Sequence, residues 1–283
     1  MKRILITGAN SYVGTNVERW LMREPDKYHV DTIDMIDGSW REKDFSGYDV
    51  VFHVAGIAHV KETRNNRDLF FKVNRDLVIE VAKVSKKAGV SQFIFLSSMS
   101  VYGMDTGVIT KETVPKPKNS YGKSKLQAEQ EIKMLESDNF KIAILRPPMI
   151  YGKGCKGNYS RLAGLAFRTP IFPKVDNKRS MIYIDNLSEL IKQLINNYSG
   201  GLFLPQNAVY VNTSELVRLI AEARGRKIMM TKLFNPLLRL LNISTVNKVF
   251  GDLIYDLKIS EYEGNYRDCE FRESILKTEG ARK

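Results

Sequence analysis

The sequence predicts an α/β fold in which a doubly wound parallel sheet is followed by a smaller C-terminal lobe. Strand-like apolar runs alternate with helical patterns from the first residues to about residue 145, as in right-handed βαβ units. Residues 49–56 form a near-continuous apolar run, as expected for a strand buried on both faces of a parallel sheet. After Tyr151 the alternation gives way to glycines, short helical patterns and proline-bearing turns, which predicts a separate lobe.

The first strand, turn and helix predict a site for a dinucleotide. An apolar run over residues 2–7 ends in a glycine-bearing turn at residues 8–14, and a helical pattern follows. In this arrangement, backbone N–H groups and the positive end of the helix point at a pyrophosphate. Residues 29–34 predict a second strand. Asp34 lies twenty residues after Gly14, where an acidic residue accepts hydrogen bonds from an adenosine ribose.

The next elements continue the alternation. The polar residues 61–68 predict a loop, and residues 69–88 predict a helix that stops at Gly89. A strand over residues 92–96 runs into serines at positions 97, 98 and 100. The carboxyl ends of parallel strands face the ligand crevice, so we expect these hydroxyl groups to lie there.

Tyr121 and Lys125 are four residues apart on a predicted helix that extends to about Glu136, ahead of a strand over residues 140–145. Such a pair projects from one face of a helix. An ammonium group beside a phenol favours the phenolate and lowers the pKa of the tyrosine, which suits proton transfer with a carbonyl or carbinol. The alternative is a solvent-exposed pair on a charged helix.

The composition argues against several other classes of protein. No run of eighteen apolar residues occurs and the first apolar run is too short for a signal peptide, so we expect a cytoplasmic protein without a membrane span. Cys155 and Cys269 form no disulfide framework and lack neighbours at metal-binding spacing, so no metal site is expected. The net charge of +12 is spread along the chain without a nucleic-acid-binding motif, which favours small anionic ligands over nucleic acid.

Two features of the C-terminal lobe predict binding of an anion. Residues 152–159 contain three glycines, two lysines and Asn158. Arg179 precedes a strand-like run, and a guanidinium group suits bidentate capture of a phosphate, although a solvated arginine is the alternative. Asp185 and Thr213 are expected to cap the two helices that follow.

Together these residues resemble the extended short-chain dehydrogenase/reductase family, in its NAD-dependent nucleotide-sugar epimerase/dehydratase branch. The resemblance runs from Lys2 to about Leu194. Its motifs, in order, are Thr-Gly-Ala at residues 7–9, His53-Val54-Ala55-Gly56, Leu96-Ser97-Ser98, Val101-Tyr102-Gly103, Tyr121-x-x-x-Lys125, Leu145-Arg146-Pro147, and Arg179 with Asp185. Within this branch, the short C-terminal lobe and the loop over residues 151–159 resemble those of bacterial surface-polysaccharide enzymes.

The resemblance implies a Rossmann NAD-binding domain over residues 1–150 and a substrate-binding lobe over residues 151–283, with the chain crossing between them. Catalysis is assigned to Ser98, Tyr121 and Lys125, with Tyr121 as the acid/base. The implied cofactor contacts are Gly8, Asn10, Ser11, Tyr12, Val13, Gly14, Asp34, Asp44, Phe45, Val54, Ala55, Gly56, Asn74, Tyr121, Lys125 and Pro148. The implied substrate contacts are Ser98, Ser100, Asn158 and Arg179. Ser11 departs from the family pattern, which has the middle glycine of Gly-x-x-Gly-x-x-Gly at this position.

The resemblance favours a 4-reductase acting on a UDP-4-keto-6-deoxy-N-acetylhexosamine in surface polysaccharide synthesis, and a UDP-sugar 4-epimerase is the alternative. The same tyrosine, lysine and serine serve both reactions. A reductase of a small carbonyl compound and a non-catalytic, dinucleotide-sensing or nucleic-acid-binding relative are also considered. NAD is favoured over NADP because the carboxylate of Asp34 would repel a 2′-phosphate, although Arg41 lies nearby. A homodimer is expected, formed by the helices over residues 69–88 and 121–136.

Overall fold

The computed structural model describes residues 1–58, 60–233, 235–236 and 244–280. Its strands are β1 (Lys2–Thr7), β2 (Tyr28–Ile33), β3 (Val50–His53), β4 (Gln92–Leu96), β5 (Gly107–Ile109), β6 (Lys141–Leu145), β7 (Met149–Tyr151), β8 (Ile171–Pro173), β9 (Met181–Tyr183), β10 (Gly201–Phe203), β11 (Met229–Thr231) and β12 (Leu253–Tyr255). Its α-helices are α1 (Tyr12–Leu21), α2 (Arg67–Phe71), α3 (Leu77–Lys87), α4 (Ser120–Lys133), α5 (Asn158–Arg168), α6 (Ile184–Asn197), α7 (Thr213–Ala223), α8 (Ser244–Phe250) and α9 (Phe271–Glu279).

Six strands form one parallel sheet in the order β10-β6-β4-β3-β1-β2. Strand β1 has β2 on one side and β3 on the other, so the chain leaves β1 in both directions. This is the doubly wound arrangement, and the predicted fold class is confirmed. Because the strands are parallel, the residues that follow β1, β3 and β4 lie along one edge of the sheet.

Apolar residues on both faces of the strands bury this sheet. Ile4, Leu5 and Ile6 have no exposed surface, and the same is true of Phe93 and Phe95. One core cluster joins Leu5, Val51 and Phe93 of the sheet to Val78, Val81 and Ala82 of α3 and to Ala128 and Ile132 of α4. Burying one large apolar side chain stabilises a fold by about 1.5–3 kcal/mol. The packed sheet and helices therefore form a rigid support for the residues at the strand ends.

The helix predicted over residues 69–88 contains an irregular turn. Helix α2 begins at Arg67, within the stretch predicted to be a loop, and a π-helical turn at Lys72–Asp76 joins it to α3. The wide turn carries Asn74, whose side chain is fully buried. Such turns are rare and occur often at functional sites.

Two of the predicted helix caps are wrong. Helix α6 begins at Ile184, so Asp185 lies within its first turn, where an acidic group still meets the positive end of the helix. Helix α7 is capped by Asn212, whose side chain accepts a hydrogen bond from the Glu215 amide at 3.0 Å. The hydroxyl of Thr213 donates instead to the carbonyl of Val249 at 2.8 Å.

The chain folds as two compact units. The first comprises Met1–Gly103, Val114–Pro147 and Leu187–Pro205 and contains the six-stranded sheet. The second comprises Met104–Thr113, Pro148–Asn186 and Gln206–Lys283. The domain boundary near residue 150 stays a prediction.

The second unit contains the parallel strand pairs β7–β9, β8–β11 and β5–β12. Tyr151 is central to its packing, because its ring stacks on Tyr159 with 5.4 Å between the centroids. The Tyr151 hydroxyl also accepts a hydrogen bond from Asn207 at 2.9 Å and shares one with Ser274 at 2.5 Å. Within the described ranges, no helix is long and apolar enough to cross a membrane.

Candidate functional site

The glycine turn after β1 is held tightly between the ends of β2 and β3. Gly8 has a φ of +95°, and a Cβ atom there would lie 2.9 Å from the backbone N and Cα of Ala55. The amides of Gly8 and Ala9 both donate to the carbonyl of Ile33, at 2.8 and 3.0 Å. Asn10 also has a positive φ, of 63°, which asparagine tolerates. The predicted cofactor residues at 8–14 and 54–56 are therefore adjacent in space.

Ser11, the departure from the family pattern, is the N-cap of α1. Its hydroxyl oxygen accepts a hydrogen bond from the Gly14 amide at 3.2 Å. A Cβ atom on Gly14 would lie 2.6 Å from that same oxygen, so Gly14 makes room for the cap. Helix α1 thus begins at Tyr12, and Val13 packs inward with 8% of its surface exposed. The serine stabilises the helix end that the sequence predicts to face a pyrophosphate.

Asp34 directly follows β2 and is exposed, as a residue that binds a ribose would be. One of its carboxylate oxygens accepts a hydrogen bond from the Ile36 amide at 2.9 Å. Arg41 is the residue near Asp34 that would favour NADP. It forms two hydrogen bonds of 2.6 Å with the carboxylate of Glu80. Because this guanidinium group already has an anionic partner, it is less suited to bind a 2′-phosphate.

Asp44 and Phe45, implied to flank the adenine, lie in different environments. Asp44 is exposed, and its carboxylate accepts hydrogen bonds from the amide and the hydroxyl of Ser46, at 2.8 and 2.6 Å. These bonds hold the pKa of the Asp44 carboxyl below its usual range. Phe45 is only 2% exposed and packs edge-on against Trp40 in the core. The Phe45 ring therefore packs in the core, and a contact of this residue with an adenine stays a prediction.

Asn74 holds the segment that follows β3. Its side chain accepts a hydrogen bond from the Ile57 amide and donates one to the Ile57 carbonyl, both at 3.0 Å. A Cβ atom at Gly56 would lie 2.8 Å from the Asn74 side-chain oxygen and 3.4 Å from the Lys125 amine. The segment of Val54, Ala55 and Gly56 is therefore fixed in the space between the glycine turn and Lys125. This backbone cradle, which side chains would fill, fits a dinucleotide.

Tyr121 and Ser98 come together because the start of α4 packs against the turn after β4. The side chain of Asn119 caps α4 by accepting a hydrogen bond from the Gly122 amide at 2.8 Å. A Cβ atom on Gly122 would lie 2.6 Å from the Ser100 carbonyl oxygen, so only glycine allows this approach. The Ser98 hydroxyl lies 3.1 Å from that of Ser100 and also interacts with the Tyr121 hydroxyl. The structure thus places three of the predicted site residues together.

The electrostatics of Tyr121 differ from the sequence-based expectation. Burial raises the pKa of the Tyr121 phenol, and the nearby Ser98 hydroxyl opposes this rise. A lowering of the pKa by Lys125 is not found. The reason is that the Lys125 amine is itself buried, which lowers its pKa to about 7 and removes part of its charge at neutral pH.

Lys125 is fixed at the carboxyl end of β4. Its amine donates a hydrogen bond to the carbonyl of Leu96 at 2.8 Å and lies 4.6 Å from the centroid of the Phe95 ring. Burial lowers the pKa of this amine, and the negative charge of Glu129, one helical turn further along α4, opposes the shift. The Lys125 side chain is therefore held in one place, and its pKa of about 7 allows it to gain or lose a proton near neutral pH.

His53 is a buried neighbour of this amine. Burial and the charge of Lys125 lower the pKa of His53 to about 3, so the imidazole is neutral. Its Nδ1 shares a hydrogen bond of 2.8 Å with the hydroxyl of Thr7, while Nε2 has no hydrogen-bond partner among the described residues. Because His53 is neutral, it adds no second positive charge beside the buried Lys125 amine.

Sequence reasoning did not assign a role to the ion pair of Glu129 and Arg146. The guanidinium group contacts both carboxylate oxygens at 2.5–3.1 Å, and both side chains are almost fully buried. Ser97 also donates to Glu129, and Arg146 donates to the Tyr102 hydroxyl at 2.8 Å. A signal was present, because Glu129 follows Lys125 by four residues as Lys125 follows Tyr121. The network links the face of α4 that carries Tyr121 and Lys125 to the ends of β4 and β6.

The predicted anion site of the second unit includes a helix N-terminus. Asn158 is exposed and begins α5, directly after Gly157, which has a φ of +97°. Lys153 and Lys156 are exposed in the preceding loop. The start of a helix carries partial positive charge and free backbone donors, so these features together suit an anion.

Arg179 is partly occupied by its own unit. One of its terminal nitrogens donates to the backbone carbonyls of Gly251 and Asn247, at 3.0 and 3.4 Å. Burial lowers the pKa of this guanidinium group below its usual value. Pro148 is buried immediately before β7 and belongs to the same unit. Within the described part of the chain, the other nitrogens of the Arg179 guanidinium group have no hydrogen-bond partner and are available as donors to a ligand.

No cluster of metal-ligating side chains occurs within the described ranges. The residues of the first unit do fit a dinucleotide: a glycine turn opposite a helix N-terminus, an exposed acid at the end of β2, and a buried amine at the end of β4. When bound, a nicotinamide group supplies or accepts hydride.

Comparison with known proteins agrees with this geometry. Residues 4–203 match the NAD dependent epimerase/dehydratase family, so the resemblance predicted from the motifs is confirmed. A UDP-glucose 4-epimerase from Vibrio cholerae is 31% identical, over 90% of this chain and 88% of that protein. An N-acetyl-α-D-glucosaminyl-diphospho-ditrans,octacis-undecaprenol 4-epimerase from Escherichia coli O157:H7 is 26% identical, over 83% of this chain and 76% of that protein.

The fold is also similar to that of solved structures. The crystal structure of UDP-glucuronic acid 4-epimerase from Bacillus cereus in complex with NAD superimposes with a TM-score of 0.77. The alignment covers 99% of this chain and 98% of that one at 18% sequence identity. At this identity the likeness concerns the fold.

Proposed function

Because the chain belongs to the NAD dependent epimerase/dehydratase family and is therefore an enzyme that uses a nicotinamide dinucleotide, we propose that it exchanges hydride at C4 of a nucleotide-diphosphate sugar. The observation that carries this proposal is the cluster of Ser98, Tyr121 and Lys125 at the carboxyl end of β4. A protein that only sensed a dinucleotide would not need these groups together, which argues against the non-catalytic alternative.

Each group of the cluster has a distinct task in the proposed reaction. The Tyr121 hydroxyl gives its proton to the sugar oxygen that is reduced, or takes the proton from it in the opposite direction. The Ser98 hydroxyl binds the same oxygen and positions it. The Lys125 amine, fixed by the Leu96 carbonyl at 2.8 Å, is proposed to bind the nicotinamide ribose, and only its protonated form would stabilise the phenolate of Tyr121.

The proposed substrate contacts outside this cluster lie in the second unit. The start of α5 at Asn158 and the nearby Lys153 and Lys156 supply donors and positive charge for a diphosphate. The guanidinium nitrogens of Arg179 that do not contact Gly251 or Asn247 are proposed to contact the same group. A small carbonyl substrate has no diphosphate that these groups could bind.

Two forms of the reaction fit this proposal. One is reduction of a UDP-4-keto-6-deoxy-N-acetylhexosamine for surface polysaccharide synthesis, and the other is 4-epimerisation of a UDP-sugar. The names of the relatives from V. cholerae and E. coli support chemistry at C4 and give epimerisation equal standing. A cytoplasmic location and a homodimer formed by α2–α3 and α4 belong to the proposal, and light scattering after gel filtration tests the dimer.

The deciding experiment offers purified enzyme a panel of UDP-, dTDP- and GDP-sugars, including 4-keto forms made in situ. Consumption of NADH with a 4-keto sugar identifies a reductase, and inversion at C4 without net NADH loss identifies an epimerase. Arg179→Ala should raise the KM for the sugar nucleotide, whereas the exposed neighbour variant Lys178→Ala should not. If no sugar nucleotide binds at millimolar concentration by calorimetry, the proposal is wrong.

A second experiment tests the choice of cofactor. Asp34 is exposed at the end of β2 and Arg41 is paired with Glu80, so we propose NAD rather than NADP. Fluorescence titration should show tighter binding of NADH than of NADPH. Mass spectrometry of the denatured protein should find retained NAD if the enzyme is an epimerase that recycles its cofactor. Tighter binding of NADPH would reject the assignment.

A further inference from the structure

One surface of the second unit combines exposed apolar side chains with positive charge. Three large apolar residues there, Phe167, Ile171 and Met229, are between 39% and 58% exposed. We call them the Phe167 patch. Single exposed apolar side chains are common on soluble proteins, but a contiguous group marks a surface that binds something.

The backbone makes this patch contiguous. Ile171 of β8 and Met229 of β11 are directly paired in register, so their side chains project from the same face of the two strands. The Met229 amide also donates to the Pro170 carbonyl at 2.8 Å, close to the end of α5. Arg226 donates to the Phe167 carbonyl, and its guanidinium carbon lies 4.8 Å from the centroid of the Phe167 ring. Segments from two distant parts of the sequence thus form one surface.

The two segments that carry the patch are basic in sequence. Residues 158–175 and 224–233 contain seven lysines and arginines and no aspartate or glutamate. Of these basic residues, Arg224 is paired with Glu279. Arg161, Arg168, Lys174, Arg226, Lys227 and Lys232 are all exposed. An apolar centre with a rim of lysine and arginine is the pattern of a surface that lies on a membrane containing anionic lipids.

We propose that the Phe167 patch binds the surface of an anionic lipid bilayer, with Phe167 and Met229 entering the interfacial layer and the basic rim contacting the headgroups. A contact between two copies of this chain through the same patch is disfavoured, because a twofold contact would bring the two positive rims together. Single-stranded nucleic acid is disfavoured because the centre of the patch is largely aliphatic, without the series of aromatic side chains on which bases stack.

The test is flotation of the full chain with vesicles of phosphatidylcholine alone or with about 30% phosphatidylglycerol, at two salt concentrations. We expect binding to the anionic vesicles only, and weaker binding at high salt. Phe167→Ser with Met229→Ser should weaken binding at least tenfold, while the equally apolar control Ile36→Ser with Val114→Ser should not. Phe167→Trp should retain binding, because an indole ring also suits the interface.

The basic rim is tested separately. Lys227→Glu with Lys232→Glu should weaken binding by at least about 30-fold, whereas the exposed control Lys111→Glu with Lys116→Glu changes the net charge equally and should bind nearly as wild type. Equal binding to neutral vesicles, no vesicle binding at all, or equal losses in patch and control variants would each overturn the proposal. So would light scattering in which the Phe167/Met229 variant, without lipid, dissociates an oligomer formed by the wild type.

Discussion

Replacing Gly8 by alanine should damage the candidate cofactor site, and the structure allows the cost to be divided into two parts. The first part is backbone strain, because a φ of +95° is unfavourable for a residue with a Cβ atom and costs about 1–2 kcal/mol. The second part is overlap, because the new Cβ would lie 2.9 Å from the backbone of Ala55. Overpacking of this kind costs about 1–3 kcal/mol.

Gly89 offers a matched control for the strain alone. It has a φ of +82°, close to that of Gly8, but a Cβ atom there would meet nothing within 4 Å. Gly89→Ala should therefore lose about 1–2 kcal/mol of unfolding free energy. Gly8→Ala should lose about 2–5 kcal/mol, because strain and overlap add.

Urea denaturation of both variants measures these stabilities, and fluorescence titration measures their affinity for NADH. A displaced glycine turn moves the backbone that is predicted to face the pyrophosphate, so Gly8→Ala should also bind NADH at least tenfold more weakly, a loss of about 1.4 kcal/mol. Gly89→Ala should bind NADH as the wild type does. Equal stability of the two variants together with normal NADH binding by Gly8→Ala would refute the reasoning.

Three further predictions concern helix α4. Tyr121→Phe should lower turnover on the true substrate by about 10²–10⁴-fold and leave NADH affinity unchanged, and a variant with more than half of the wild-type rate would exclude Tyr121 as the acid. Because the pKa of Lys125 is about 7 in the folded state and 10.5 ordinarily, the unfolded chain binds more protons between these values. Stability should therefore rise with pH in this window by up to about 1.4 kcal/mol per pH unit in the apoprotein, a rise that Lys125→Met should abolish in urea titrations at several pH values. Glu129→Gln removes the carboxylate charge that pairs with the buried Arg146 and should cost about 3–5 kcal/mol, while the exposed control Glu131→Gln should stay within about 0.5 kcal/mol. In the Glu129 variant, the rise of stability with pH should also begin at a lower pH, because the charge that raises the pKa of Lys125 is gone.

The sequence determined the elements whose signals are local. Strands buried on both faces appear as continuous apolar runs, so the positions of β1, β4 and β6 could be predicted to within one residue, whereas β3 ends three residues before the run predicted over residues 49–56. The helical spacing of Tyr121 and Lys125 places both residues on one face whatever surrounds them. The need for glycine at position 8 was also visible, although the reason, the approach of the Ala55 backbone, was not.

The tertiary structure alone decided the properties that depend on distant parts of the chain. Asn212 rather than Thr213 caps α7, because the Thr213 hydroxyl donates to the distant Val249 carbonyl. The Phe45 side chain is buried in the core, where it packs against Trp40. The pairing of Glu129 with Arg146 joins a helix to a strand end. The protonation of Lys125 follows from how completely other elements remove its amine from water and from the charges they place around it, and neither quantity can be calculated before the chain has folded.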